Sequence, residues 1–174
     1  IFFSLIIGLV CNLALLSNNI FLKTLVNIYT ELSRNTPLLI QLFFLYYGLP
    51  KFGIKLDEQV CAIIGLSFLG GSYMSEALRA GIEAVHKNQI EAGQSLGMNK
   101  IQLFRFVIMP QALSVSIPLL AANGVFLVKE TSVVGIIAVK ELVSLSKTLI
   151  GVYYNTYETM FMLVVFYMII LLPL

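Results

Sequence analysis

The sequence predicts an all-α integral membrane protein in which five hydrophobic blocks supply the spanning segments. Three observations carry that expectation. First, 59% of the 174 residues are hydrophobic and only 11% are charged, with mean hydropathy at +0.92, whereas a soluble domain is about a quarter charged. Second, a chain this short has a high surface-to-volume ratio, so packing alone cannot hide that much apolar surface and lipid is its natural solvent. Third, the apolar residues are gathered in blocks, and backbone in hydrocarbon must satisfy its own hydrogen bonds, which makes each block a helix.

Ile1 to Leu16 is the first block. It has the apolar character of a signal segment, but no basic stretch precedes it and no small-residue cleavage site follows, so a spanning helix is expected. Short terminal pieces are expected beyond both ends, because the chain opens at Ile1 and closes at Leu174 inside apolar runs. Ser17-Asn18-Asn19 breaks the first run, and Ile20 to Tyr29, with Lys23, Thr24 and Asn27, suits an interfacial turn or a helix start. Pro37 to Pro50 is the second block. A span needs ~20 apolar residues, so it must borrow from Thr30 to Thr36. Lys51 to Glu58 reads as a short wet loop with Gly53. Gln59 to Ser75 is the third block, its helix extended by Glu76, Arg79 and Glu83, and the polar stretch Glu83 to Arg105 follows. Phe106 to Val128, with Pro110 and Pro118, is the fourth block. Lys129 to Gly151 is mixed around the apolar patch Val133 to Val139, and Val152 to Leu174 is the fifth block.

Orientation is weakly marked. If the loops holding Lys23 to Arg34 and Arg79 to Arg105 face the cytoplasm, that side carries Lys23, Arg34, Arg79, Lys87, Lys100 and Arg105. The other side carries Lys51, Lys55, Lys129, Lys140 and Lys147, a small positive-inside bias. Glu83 to Arg105 is the one dense polar surface of useful size, so a soluble partner should dock there.

Several function classes are excluded or disfavoured. A net charge of +2 is too small for nucleic-acid binding. Cys11 and Cys61 lie in apolar runs and read as small buried hydrophobes, and with one histidine, His86, they leave little for a transition-metal site. No Gly-x-x-x-x-Gly-Lys-Ser/Thr occurs, so the chain carries no phosphate-binding loop and ATP hydrolysis would belong to a partner. No His-Glu-x-x-His occurs, and Gly65-Leu66-Ser67 begins like a nucleophile elbow but has Leu69 where glycine is required. An intramembrane hydrolase is therefore disfavoured.

The most informative segment is Glu91-Ala92-Gly93-Gln94-Ser95-Leu96-Gly97, continuing to Val107-Ile108-Met109-Pro110. Glu91 and Ala92 are expected to begin a short helix that Gly97 ends with a left-handed cap. Asn99 can start a second helix that re-enters lipid near Pro110. The product is a helix–turn–helix outside the bilayer, joined to two spanning helices, which can transmit a push from a soluble motor. An ordinary amphipathic connecting loop remains the alternative from spacing alone.

This stretch resembles the EAA motif of ABC importer permeases, in which Glu-Ala-Ala is followed after three residues by Gly and later by Ile-x-Leu-Pro. Glu91, Ala92, Gly97 and Pro110 are in register, while Gly93 replaces the second Ala, Val107 the Ile and Met109 the Leu. Arg34-Asn35-Thr36-Pro37-Leu38-Leu39 with Gln41-Leu42-Phe43 resembles the Arg-Gly-Thr-Pro-Leu-Leu segment of polar amino acid permeases of the histidine/glutamine/arginine type, with Asn35 in place of Gly. Gly71-Ser72-Tyr73, Glu76, Arg79 and Gly81 resemble that family's Gly-Ala-Tyr, Glu and Arg-Gly-Gly positions. Pro110-Gln111-Ala112 and Lys129-Glu130-Thr131-Ser132 also match, with Glu130 where Asp is common.

The resemblance implies a five-transmembrane-helix ABC importer permease core (MetI-like, type I importer) in a bacterial inner membrane. It implies a second permease subunit in a homo- or heterodimer, two ATPase subunits docked at Glu91, Ala92, Gly93, Ser95, Leu96 and Gly97, and an external solute-binding protein. No cofactor is expected on this chain, with ATP and Mg held by the ATPase partner. The whole of 1–174 reads as one permease domain with a cytoplasmic loop at about 83–108. Gly93 is expected to loosen its helix by ~1 kcal/mol relative to Ala. A motor-independent secondary transporter or channel is the rival reading.

Further candidates line the expected pathway. Glu76, Arg79 and Glu83 share one helix face, and charges near membrane depth face a bundle interior or water. They read as a gate or substrate lining, or as a Glu–Arg pair anchoring the helix end. Gly70, Gly71 and Ser72 allow close helix approach or leave room for a small ligand. Glu130, Thr131 and Ser132 interrupt an apolar region, where polar backbone is tolerated if it is buried or lines a cavity. Glu130 suits a substrate amine, Thr131 or Ser132 a helix cap, and a loop at the outer face is the plain alternative. Arg34 to Pro37 reads as structural or gating, with Glu31 and Arg34 able to pair at i,i+3. Asn12, Asn123 and Asn155 read as interhelical hydrogen-bonding groups. Acidic and basic side chains both line this candidate pathway, which leaves the charge of the substrate open.

Overall fold

The computed structural model describes residues 1–173, and every regular element among them is helical. Helix α1 (Phe2–Leu16) is the first block, and it ends where the Ser17 hydroxyl donates to the Ala14 carbonyl at 2.7 Å. Asn19 caps α2 (Ile20–Asn35) by accepting from the Phe21 amide at 2.9 Å. The interfacial turn or helix start suggested for Ile20 to Tyr29 is thus a complete helix of 16 residues.

Thr36 is extended, with φ −108° and ψ 123°, as the residue before a proline prefers. The polar stretch Thr30 to Thr36 and the second block therefore fall on two helices rather than one. The second is α3 (Leu38–Phe43), continued by a π turn at Phe44–Gly48 and a 3-10 turn at Leu49–Phe52. Pro37 cannot continue the ladder. The Gln41 side-chain amide compensates by donating to the Ser33 and Thr36 carbonyls at 3.1 and 3.0 Å.

Helix α4 (Glu58–Glu83) has 26 residues, about 39 Å at 1.5 Å per residue. Helix α5 (Lys87–Ser95) follows. Then α6 (Lys100–Leu103), a π turn at Phe104–Ile108 and α7 (Met109–Glu130) form, with a 3-10 stretch at Thr131–Ile137, one apolar helical run of 38 residues. The π turn ends two residues before Pro110 and contains Phe106, four residues back, where a wider turn relieves the clash between the proline ring and the Phe106 carbonyl. At about 57 Å the run is longer than a hydrocarbon layer of ~30 Å.

Helix α4 and Lys100–Ile137 are each long and apolar enough to cross a membrane unaided; Phe2–Leu16, Leu38–Phe52, α8 (Leu142–Tyr153) and α9 (Thr156–Leu171) are shorter apolar helices. The fifth block is divided between α8 and α9, because Tyr154 turns left-handed at φ 57°. Leu174, its last residue, lies outside the described residues. Helix α8 is capped by Glu141, whose carboxylate accepts from the Val143 and Ser144 amides while the Ser144 hydroxyl accepts from the Glu141 amide. The capping role foreseen for Thr131 or Ser132 thus falls to Glu141.

Helix α4 is the centre of the packing, and small residues set its register. A Cβ at Gly8 would lie 2.8 Å from Met74 Cβ, and one at Gly71 2.8 Å from Ile7 Cβ, so α1 runs parallel to α4. A Cβ at Gly81 would lie 2.5 Å from the Ala112 carbonyl oxygen and one at Gly70 2.6 Å from Leu127 Cδ1, so α7 runs antiparallel. Asn12 donates to the Ser75 carbonyl at 2.7 Å and Asn123 to the Tyr73 carbonyl at 3.0 Å, both bridging helices as expected. Asn155 instead accepts from Thr159 within its own helix. Cys61 joins Leu38, Leu42, Ala62, Leu69, Val134 and Ile137 in the buried core, and Cys11 is also buried with a free thiol. The outer faces of α1 and α9 are rows of exposed large hydrophobics, as lipid-facing helices require.

Candidate functional site

The polar stretch between α4 and α7 is ordered by its own backbone chemistry. Three residues, Ala84 to His86, connect α4 to α5, with Val85 buried. Helix α5 starts at Lys87, four residues before the expected start, so Glu91 sits in its second turn and pairs with Lys87 at 3.5 Å. The C-terminal end is closed as the sequence foresaw. Gly97 is left-handed at φ 77°, its amide donates to the Gln94 carbonyl at 2.9 Å, and the Met98 amide donates to the Gly93 carbonyl at 3.2 Å, the paired bonds of a Schellman cap. Asn99 opens α6 with a capping box, accepting from the Ile101 and Gln102 amides while its own amide donates to the Gln102 side chain.

Gly93 is more than a weak point of α5. It is buried, and a Cβ there would lie 2.5 Å from Leu103 Cδ1. The Leu103 side chain fills the space an alanine methyl would take, so the low helix propensity of glycine is offset by close approach of α6. The opposite face is open: Glu91, Ala92, Gln94, Ser95 and Leu96 are all exposed. Leu96 and the neighbouring Ile101 are each 78% exposed, so apolar side chains project from a polar segment.

A second feature lies between α1, α2 and α4: an open cleft of about 830 Å³. Because α1 and α4 are parallel, it opens at the end of the bundle that carries α5. Its α4 wall holds Tyr73, Ser75, Glu76, Arg79 and Glu83. Arg79 bonds both Glu76 and Glu83, the latter at 2.8 Å. Arg34 approaches from α2, with Nη1 3.7 Å from Glu76 Oε2 and its guanidinium 5.2 Å from the centre of the Tyr73 ring. The pairing expected between Glu31 and Arg34 is not made, because Arg34 turns across to α4. Both members of the Arg34–Glu76 pair keep near 40% of their side-chain surface, which limits the bond to about 0–1 kcal/mol.

The other sequence candidates separate from this cleft. Gly70 and Gly71 take the close approach of Ser4, Leu127, Ile7 and Tyr29, and the Ser72 hydroxyl is buried against Ser33 at 3.0 Å. Glu130, Thr131 and Ser132 are helical rather than a loop, with Thr131 bonding back to the Val128 carbonyl at 2.6 Å. Since Leu127 packs on Gly70, this stretch lies level with the middle of α4, away from its ends. The sequence reading missed the polar wall of α2, made by Asn27, Thr30, Glu31, Arg34 and Asn35. The signal was present: those positions recur at helical spacing, opposite the exposed apolar stripe Phe21, Leu25, Ile28 and Leu32.

Comparison with known proteins fixes the family. The profile described as "binding-protein-dependent transport system inner membrane component" matches residues 4–174. This chain belongs to that family. Among members of the transport-system inner membrane component family, the chain is 41% identical to the L-cystine transport system permease protein of Bacillus subtilis (strain 168), over 80% of this chain and 60% of that one. It is 38% identical to a probable glutamine ABC transporter permease protein of the same organism, over 70% of this chain and 56% of that one. It is 33% identical to a putative glutamine transport system permease protein of Rickettsia felis, over 99% of this chain and 79% of that one. The chain thus spans a little over half the length of the two Bacillus relatives. A solved structure described as an amino acid ABC transporter with histidines superposes with a TM-score of 0.87 at 32% identity, covering 99% of this chain and 82% of that one. The family's all-helical, MetI-like permease fold is therefore the fold of this chain.

Proposed function

We propose that the chain is the transmembrane permease subunit of an ATP-binding-cassette importer that carries polar amino acids inward across the inner membrane by alternating access. The observation that carries this reading is α5, a short helix with one face against its own chain and the other exposed. It is tied by three residues to α4, and by a Schellman cap and a capping box to the 38-residue run Lys100–Ile137. A soluble ATPase holding Glu91, Ala92, Ser95 and Leu96 would move both spanning elements together. The family and the cystine and glutamine permeases among the relatives support the same reading.

In this reading residues 1–174 are one permease domain with a cytoplasmic loop at about 83–108. The five spanning units are α1, α2 with Leu38–Phe52, α4, Lys100–Ile137, and α8 with α9. ATP and Mg are bound by two ATPase subunits, a second permease subunit completes the pathway, and an external solute-binding protein delivers the amino acid. Glu76 and Arg79 gate the inner end of the pathway, with Glu130, Thr131 and Ser132 deeper along it and Gly70, Gly71 and Ser72 setting the helix spacing beside it. The ATPase drives the cycle by binding the inward- and outward-facing states with different affinity. Glu91→Lys tests the reading. It should leave the permease folded but abolish ATP-dependent uptake in proteoliposomes. Normal assembly and normal transport with that change would remove α5 from the docking role, and wild-type uptake that ignores ATP would favour a motor-independent transporter.

A further inference from the structure

The cleft between α1, α2 and α4 has two unlike walls. On α4 the ionic groups are satisfied within the chain: Glu76 and Glu83 both bond Arg79. On α2 they are not. Asn27, Thr30, Glu31 and Asn35 line the cleft and make no side-chain hydrogen bond or ion pair among the described residues. Arg34 holds Glu76 only at 3.7 Å, although a guanidinium carries five N–H donors in a planar fork suited to a carboxylate. One turn away on the same wall stands the Glu31 carboxylate. A cationic fork and a free carboxylate on adjacent turns match the two ends of a zwitterion, and about 830 Å³ lies within the size range of small-molecule sites.

The charge count adds selectivity. Glu31, Glu76 and Glu83 face Arg34 and Arg79, three carboxylates against two guanidiniums, so the cleft carries a net formal charge of −1. The unmatched charge is Glu31.

We propose that this cleft is an amino-acid subsite at the inner end of the pathway, where Arg34 takes the α-carboxylate and Glu31 the α-ammonium. Its excess negative charge admits neutral and cationic amino acids and rejects those with a second carboxylate. The proposal rests on the importer reading and settles the substrate charge that the sequence leaves open. Arg34 is released from Glu76 as it takes the substrate carboxylate, while Arg79 keeps Glu76 neutralised, so occupancy of the cleft and contact between α2 and α4 are mutually exclusive at Arg34.

The test is equilibrium binding of radiolabelled glutamine, lysine and glutamate to the intact permease, purified in nanodiscs without any solute-binding protein, beside ATP-driven uptake by the assembled transporter. Glutamine and lysine should bind saturably and glutamate should not compete. Glu31→Gln and Arg34→Gln should each weaken binding roughly tenfold or more, the loss of one charge-assisted contact. Glu31 is exposed and makes no side-chain hydrogen bond or ion pair among the described residues, so its variants should assemble normally. Glu31→Lys should abolish binding of glutamine and lysine alike, because it sets a cation against the α-ammonium. The proposal is overturned if wild type shows no saturable binding, if glutamate competes as well as glutamine, or if Glu31→Gln and Glu31→Lys bind like wild type. Those results with ATP-driven uptake intact would sink the subsite and leave the importer reading standing. Loss of the ATP requirement would sink the importer reading itself.

Discussion

Gly81→Ala probes how closely α4 and α7 are joined at the base of α5. On helix propensity alone the change should stabilise α4 by about 1 kcal/mol. Packing opposes it. The new Cβ would lie 2.5 Å from the Ala112 carbonyl oxygen, and Ser116 Oγ stands closer still, whereas ordinary contacts fall at 3.4–4 Å. The two helices must part by roughly 0.9 Å, the difference between 3.4 and 2.5, and no rotamer change relieves a backbone contact. Overpacking costs about 1–3 kcal/mol. Where backbone must move, the upper part of that range applies, which leaves a net loss of about 1–2 kcal/mol after the propensity gain. Thermal unfolding of the intact permease in nanodiscs measures it, with Gly151→Ala as control, since a Cβ there meets nothing within 4 Å and should stabilise. Adding Ser116→Gly to Gly81→Ala should recover only part of the loss, because the Ala112 carbonyl stays in place. If Gly81→Ala is as stable as wild type, or if Ser116→Gly rescues it completely, the argument from the backbone contact is refuted.

Two further predictions concern the ends of the segment that follows α5. Asn99→Ala removes the acceptor of two amides and should cost about 1 kcal/mol, read as a lower unfolding temperature and a smaller ratio of amino acid moved to ATP hydrolysed. Gly97→Ala forces a side chain into the left-handed region at φ 77°, a strain of about 1–2 kcal/mol, and should leave ATP hydrolysis running while uptake falls.

Much of the fold could be read from local sequence, because its signals act over three or four residues. The end of α1 at Ser17, the left-handed cap at Gly97 and the capping box at Asn99 need only their immediate neighbours. What was not legible depends on distant partners. Glu31 and Arg34 have the spacing of an ion pair, yet Arg34 is drawn to Glu76 and the Tyr73 ring on another helix. Gly93 reads as a departure from a motif until Leu103 is seen in the space it leaves. Helix α5 begins at Lys87 because its start depends on where α4 releases the chain, at Ala84 to His86, and not on the Glu-Ala pair. The polar wall of α2 was hidden because its positions were split between an interfacial turn or helix start at Ile20 to Tyr29 and a stretch lent to the next span at Thr30 to Thr36. Its function depends on α1 and α4 closing a cleft around it.

The central claim, that α5 is the handle by which a soluble ATPase moves the spanning helices, is tested most directly by site-specific cross-linking from Leu96. This side chain is 78% exposed, and the natural thiols Cys11 and Cys61 are buried and should not compete. In the assembled transporter, Leu96→Cys treated with a short thiol–amine cross-linker should give a covalent permease–ATPase adduct whose yield changes when ATP is bound. An assembly that is intact and active but gives no adduct from Leu96, in any nucleotide state, would contradict the account.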